Sequence, residues 1–332
     1  MVVKVALVSF AHVHAPGHVE QLLKRSDVEV LGAFDDNEER GRHYANRYGL
    51  RLFKTIDELI KAKPDIAVID SETSKHKYYI ELLAESSIHL FCEKPIGVNL
   101  KDALEISNIV KRHGVLFTTG FNSRLNPENT KAREILSSGA LGKVSMIRVR
   151  VAHPGAIDKW FKDWSEWFTV SQYSGGGGFL DLGIHGADLL RFLLNDEAVE
   201  VTGIVSNFTG NYNIDDQGAA VVKFSKGTLG ILDAGWTQVL EGLPWSPLEI
   251  YGEEGSLIRV ELGLMYYTRK QSGWFKPRLQ GAVKTTLDEL IDAVSKGSQL
   301  SVVIDDAVKA QEIIEAAYRS SAEGRVIKLP LT

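Results

Sequence analysis

Cysteine is nearly absent. Cys92 is the single one among 332 residues, which excludes an intrachain disulfide and a thiolate metal cluster. A basic excess is absent too: 38 lysines and arginines face 43 aspartates and glutamates, a formal charge of -5 at pH 7. With no basic block interleaved with aromatics, that balance argues against nucleic acid or an anionic membrane as the main partner. No apolar run reaches ~18 residues, so no segment is expected to span a bilayer. The segment from Met1 to Val8 runs straight into a strand pattern, with no signal-like charged and apolar preamble. The expectation is a cytoplasmic protein, in which the acceptor-like Asn207-Phe208-Thr209 is a chance match.

What is present is an alternation. With 44% hydrophobic and 24% charged residues, the chain has an ordinary globular composition and the length for two domains. Val2 to Val8, Val28 to Phe34, Ile66 to Ile69, Ile88 to Cys92 and Val115 to Thr119 read as apolar strands buried on both faces. Helical patterns fall between them, from about Pro16, from Glu38 to Tyr48 with Gly49 as the stop, from His76 to Ala84, and from a cap at Asn99 through Arg112. Thr55-Ile56-Asp57-Glu58 has capping-box spacing. Strands alternating with helices predict an α/β fold, a Rossmann-type doubly wound parallel sheet over residues 1–121. Residues 122–332 change character. Val144 to Val151, Val199 to Val205, Ala219 to Phe224, Thr228 to Thr237, Leu248 to Tyr251 and Ser256 to Glu261 suggest hairpins, followed by helices near Leu287 to Ser295 and Asp305 to Ser320. This half is expected to be an α+β domain for substrate binding and oligomerisation, on an open, mostly antiparallel sheet whose uncovered face would form a homodimer or homotetramer.

Ligands of parallel α/β sheets sit at the strands' carboxyl ends. The first such loop, Ser9-Phe10-Ala11-His12-Val13-His14, stands where a G-x-G-x-x-G fingerprint would be, and all three glycines are missing. It still joins a strand to a helix N-terminus, whose unpaired amides are expected to take a diphosphate. Ser9, Ala11, His12 and Val13 are therefore candidate cofactor contacts. Asp35, about twenty residues further on, is placed to accept ribose hydroxyls and to repel a 2′-phosphate, with Asp36 adding to the repulsion; this favours NAD over NADP. Ser71, Thr73 and His76 follow the third strand, where Ser74 would equally serve as a helix cap. His12, His14 and His18 invite a metal reading that nothing else in the sequence supports, and no metal is expected.

Two further stretches carry chemistry. Lys94 closes the run Phe91-Cys92-Glu93-Lys94-Pro95 at the end of the fourth strand. Gly175-Gly176-Gly177-Gly178 leads into a helix where Asp181 and His185, four apart, share a face. Gly183 between them is expected to leave room for a ligand, and Asp188 either to anchor the helix or to orient the imidazole. This reading brings Lys94 against Asp181 and His185. Between these stretches, Trp160, Trp164 and Trp167 belong to a packed flap or to an aromatic wall against a sugar ring.

Glu93-Lys94-Pro95, together with Gly176-Gly177-Gly178, Asp181, Gly183 and His185, resembles the two motifs of the Gfo/Idh/MocA family. Gly120-Phe121-Asn122-Ser123-Arg124, Gly139-Ala140-Leu141-Gly142-Lys143 and Gly252-Glu253-Glu254-Gly255-Ser256 extend the resemblance over nearly the whole chain. It implies a nicotinamide-dependent oxidoreductase acting on CH–OH groups of a sugar, cyclitol or similar polyhydroxy compound. Lys94, Asp181 and His185 would be catalytic, and Glu93 and Asn122 would line the cofactor beside Ser71 and Thr73. The missing loop glycines are the departure. The same family resemblance admits a glycosidase using tightly held NAD in a transient oxidation. The eroded loop admits a ligand sensor that kept the fold and lost turnover.

Overall fold

The computed structural model describes residues 2–240, 247–281 and 283–331. Its first run is β1 (Val3–Val8), α1 (Ala15–Leu23), β2 (Val28–Phe34), α2 (Glu38–Tyr48), α3 (Ile56–Lys61), β3 (Ile66–Ile69), α4 (His76–Glu85), β4 (His89–Cys92), α5 (Leu100–His113) and β5 (Phe117–Thr119). The strands pair in parallel in the order β2-β1-β3-β4-β5. Their near-continuous apolar sequences fit, since helices cover both faces of such a sheet. The expected punctuation holds: Asn37 and Asn99 accept from the third amides of α2 and α5, and Gly49 and Gly114 end those helices in the left-handed region.

The chain continues through α6 (Pro127–Ser137) and β6 (Val144–Ala152), then a 3-10 helix (Asp163–Thr169) and α7 (Ser171–Ser174). Next come α8 (Gly178–Leu194), β7 (Ala198–Ser206), β8 (Gln217–Phe224), β9 (Leu229–Gly235), β10 (Leu248–Gly252), β11 (Gly255–Val260) and β12 (Gly263–Thr268). α9 (Thr286–Lys296), α10 (Ile304–Glu323) and β13 (Ile327–Lys328) finish it. Two compact units result. One comprises residues 1–120, 161–175 and 285–308, and the other residues 121–160, 176–284 and 309–332.

Two segments that a linear reading gives to the second domain thus pack within the first unit. Leu287, Leu290 and Ile291 of α9 enter the core formed by Val3, Val5, Leu7, Val19 and Leu22. Arg25 also bonds Asp288 at 2.7 Å. In the second unit eight strands run β12-β11-β10-β6-β9-β8-β7-β13. All neighbours are antiparallel except β6 and β9. β12 was not legible as a strand; its residues are mostly half-buried, without clean alternation. α8 lies against β6, β8 and β9. The inward row includes Ile147, Val149, Ala220, Val222, Leu232 and Ala234.

Candidate active site

In the first unit the carboxyl ends of the strands gather polar groups. Ser9 sits at φ 71°, the left-handed conformation that a glycine would take at this turn. Its hydroxyl accepts from the Ala11 amide at 3.2 Å and from Arg40 at 3.1 Å. Most of the expected free amides are taken. Phe10 donates to Asp35 and His12 to the Asp70 carbonyl, both at 2.8 Å; His14 donates to His12 Nδ1 at 3.2 Å and Ala15 to the His12 carbonyl at 3.0 Å. Val13 is more than half exposed at the loop tip, while Ala11 is buried beneath it.

The structure also gives Asp35 a different task. Its carboxylate accepts from the Phe10 and Asn37 amides, each at 2.8 Å, and from Arg40 through Nε at 2.9 Å and Nη2 at 2.8 Å. Four donors fill the acceptor sites of a carboxylate, and the side chain is 0% exposed. It therefore clamps the loop to α2 and has no capacity left for a ribose. Asp36 stays a third exposed and, with Glu72, faces Arg40 and Lys75.

Ser71 is buried, its hydroxyl on the Glu72 carbonyl at 3.2 Å. His76 is buried with Nε2 3.2 Å from the Ser71 carbonyl and Nδ1 3.3 Å from the Ile96 carbonyl. Both ring nitrogens thus face the backbone, and the ring ties the β3 loop to the loop after Lys94 instead of presenting itself to a ligand. Burial lowers its pKa. Thr73 and Thr119 carry buried hydroxyls with no protein partner. Thr118 Oγ1 is in the same condition, and a water or a ligand can complete the bonding of such atoms.

Around Glu93 the loop histidines close in. Glu93 is buried, accepts from the Lys94 amide at 3.0 Å, and lies 3.0 Å from His14 Nδ1, 3.5 Å from His18 Nε2 and 3.7 Å from His12 Nε2. Burial alone would raise its pKa, but the three imidazoles hold it well below the carboxylate range. Opposing burial, Asp70 at 2.9 Å and then Glu93 raise His18 to about 9. Lys94 itself is buried, and the Lys94–Pro95 bond is cis. Asp70 was missed, and His18 was weighed only as a metal ligand, because nothing local in sequence pairs residues 52 apart.

Trp164 and Trp167 resolve as packing, while Trp160 stays exposed, stacked on His153. Trp167 Nε1 donates to the Ala11 carbonyl at 3.0 Å, and Trp167 and Phe168 lie against His12. Trp164 meets His43 and Tyr44. The 3-10 helix is thus a lid over the first loop, which favours the flap over the sugar-stacking wall.

In the second unit α8 carries Asp181 and His185. Asp181 is nearly buried, and its Oδ2 accepts from the indole of Trp236 at 2.9 Å. His185 is half-buried, with the Phe121 ring edge-on at 6.0 Å. Asp188 serves the helix: Arg124 grips it in a buried pair at 2.6–3.1 Å. Asn122 is exposed at the start of the 3-10 turn Asn122–Leu125 in this unit. The glycine run is a matter of room. A Cβ on Gly177 would come 1.8 Å from the Asp215 carbonyl, and one on Gly178 2.6 Å from the Asp216 carbonyl. Asp215, not singled out from sequence, accepts through its carboxylate from the Gly177 and Phe179 amides, each at 2.9 Å. Gly183 does not leave room for a ligand, because its Cβ position faces Ile314 and Ala234 at 3.1 and 3.5 Å.

A parallel sheet with such loops at its carboxyl ends is the architecture of a dinucleotide-binding domain, and comparison agrees. Residues 3–121 match the model of an oxidoreductase family with an NAD-binding Rossmann fold, and residues 129–258 match the GFO/IDH/MocA C-terminal domain. A 1,5-anhydro-D-fructose reductase of Ensifer adhaerens is 30% identical over 240 residues, 71% of this chain and 69% of that one. A myo-inositol 2-dehydrogenase of Thermotoga maritima is 27% identical over 327 residues, 94% of each chain. Among solved structures, GenD2 from gentamicin A biosynthesis, in complex with NAD, is similar at a TM-score of 0.84 and 26% identity, over 99% of this chain and 97% of that one. The chain belongs to the Gfo/Idh/MocA family of oxidoreductases, and its N-terminal part is an NAD-binding Rossmann domain.

Proposed function

We propose that this enzyme transfers a hydride between NAD and a secondary alcohol of a sugar, cyclitol or related polyhydroxy compound. The observation that carries the reading is the pair Asp181 and His185, one turn apart on α8, in a family member that also has the Glu93-Lys94-Pro95 lysine. His185 takes the hydroxyl proton, as an imidazole does near neutral pH. Lys94, as an ammonium, polarises the substrate oxygen and favours its partly deprotonated form. Asp181, held by a donor-only indole, orients the hydroxyl or the imidazolium. The nicotinamide, when bound, supplies the hydride acceptor. Ser9, Ala11, His12, Val13, Ser71, Thr73, Glu93 and Asn122 line the cofactor, and His76 fixes the loops around it.

NAD is favoured over NADP, with Asp36 in place of Asp35 as the ribose partner. Three carboxylates (Asp35, Asp36 and Glu72) surround two cations, Arg40 and Lys75. That excess repels a 2′-phosphate. We further assign a homodimer or homotetramer to the sheet face opposite α8 and a cytoplasmic location to the protein, which has one buried cysteine. No described helix is long and apolar enough to cross a membrane.

The test is turnover with NAD and a panel of cyclitols and sugars. Reduced cofactor should accumulate with at least one of them. In Lys94→Ala it should fall by at least about a thousandfold, an expected loss of some 4 kcal/mol of transition-state stabilisation, at an unchanged circular dichroism spectrum. Full activity in the variant removes the assignment of Lys94. Release of free sugar without net reduction points to the glycosidase alternative, and ligand binding without either product points to the sensor.

A further inference from the structure

We infer that the diphosphate of the dinucleotide is held by imidazole N–H groups of His14 and His12, where most loop amides are already engaged, and that cofactor binding takes up a proton. This rests on the dinucleotide reading above and concerns how this chain replaces its missing glycines.

A glycine-rich loop grips a diphosphate through backbone amides at a helix N-terminus. Here the amides of Ser9, Phe10, Ala11, His12, His14 and Ala15 all donate within the protein. What the loop adds is side chains. The rings of His12 and His14 lie 4.6 Å apart, those of His14 and His18 6.4 Å apart, and His14 is half exposed at the N-terminus of α1.

The tautomers decide what these rings can do. His12 Nδ1 accepts the His14 amide proton at 3.2 Å, so the proton of its neutral ring sits on Nε2. That nitrogen is then a donor, and its lone pair is not available to a metal. The cluster can bring three ligand-type atoms within 4.8 Å in two sets, His12-His14-Glu93 and His18-Asp70-Glu93. In the second set His18 Nδ1 is held by Asp70 at 2.9 Å. Imidazole donors to an anion suit these geometries better than ligands to a cation.

Charge then sets the proton requirement. The groups facing His14 and its neighbours are His12 from the loop, His18 from α1, Asp70 after β3 and Glu93 after β4. The 3-10 helix contributes Trp167 and Phe168. Two carboxylates against one imidazolium, His18, leave a net charge of -1 while His12 and His14 are neutral. An anionic diphosphate meets repulsion there. His14 Nδ1 donates to Glu93 at 3.0 Å, so Nε2 of its neutral ring has no proton to give; protonating His14 brings the cluster to zero and adds that N–H donor. The positive end of α1 works in the same direction.

Calorimetric titration of the whole protein with NAD, from about pH 6 to about pH 8, in buffers of differing ionisation enthalpy, reads this directly. The expected result is net proton uptake, with the Kd rising by up to about tenfold per pH unit for each proton taken up. His14→Gln should bind more weakly and lose most of that slope, while His14→Lys, cationic throughout, should regain affinity with a flat profile. A wild-type Kd independent of pH, or a folded His14→Gln indistinguishable from wild type, overturns the inference and leaves the dehydrogenase reading standing. No NAD binding at any pH, by calorimetry and by thermal shift alike, overturns both.

Discussion

At the scale of single residues, two buried partnerships set the chemistry. Trp236 is fully buried at the end of β9, and its indole fixes one oxygen of Asp181. Because an indole only donates, it favours the carboxylate over the acid. Trp236→Phe should lower kcat/KM by about ten- to a hundredfold, the worth of a hydrogen bond to a charged group. It should also move the acidic limb of the pH profile to higher pH; an unmoved limb would make Trp236 mere packing. The second partnership is His18 with Asp70 and Glu93. The folded pKa of His18, about 9, lies above its ordinary 6.5. Its stabilisation is therefore whole below the unfolded value and lost as pH rises through the folded one. The loss should be on the order of 3 kcal/mol, read as a falling urea midpoint between about pH 6.5 and about pH 9.5. Asp70→Asn should flatten that dependence; a wild-type midpoint constant over the window contradicts the pairing. Lys94, Asp181 and His185 could be picked out from sequence because motif and helical spacing are local. Trp236, Asp70 and Asp215 could not, since each acts on a residue more than 30 positions away.

At the scale of elements, the entry into α8 shows what the glycines are for. A quartet of glycines before an aspartate and a histidine leaves space where side chains would stand. In the fold the space is filled by protein, with the Asp215 and Asp216 carbonyls against Gly177 and Gly178 and the Trp236 ring against Gly178. Asp215 meanwhile takes the amides of Gly177 and Phe179, satisfying the first turn of the helix from a distant loop. Gly177→Ala should destabilise the protein by at least about 3 kcal/mol, the upper range for overpacking, measured by denaturant titration. A loss under about 1 kcal/mol would mean that the strand loop moves aside easily. The helix itself and its i, i+4 pair were legible in sequence, whereas the reason for the glycines lay in tertiary contacts. The same holds for the first loop. Its place between β1 and α1 was legible, but not that Asp35, Asp70 and the histidines use its amides.

At the scale of the whole molecule, alternation of strands and helices foretold the parallel sheet, because buried strands and amphipathic helices carry distinct periodicities. The discontinuity of the two units escaped, since residues 161–175 and 285–308 return to the first unit with no change of composition to announce it. The second unit's sheet leaves Ile204 and Val221 exposed at 73% and 45%, on the face opposite α8. Ile204→Lys with Val221→Lys should shift a proposed homodimer or tetramer to monomer in sedimentation velocity, with an unchanged far-ultraviolet spectrum; an unaltered assembly assigns the interface elsewhere. The measurement that bears most directly on the central claim follows hydrogen itself. The enzyme, with NAD and a polyol deuterated at the carbinol carbon, is expected to yield reduced dinucleotide carrying the deuteron, found by mass spectrometry. Oxidised product with no deuteron in the dinucleotide would contradict hydride transfer to the nicotinamide.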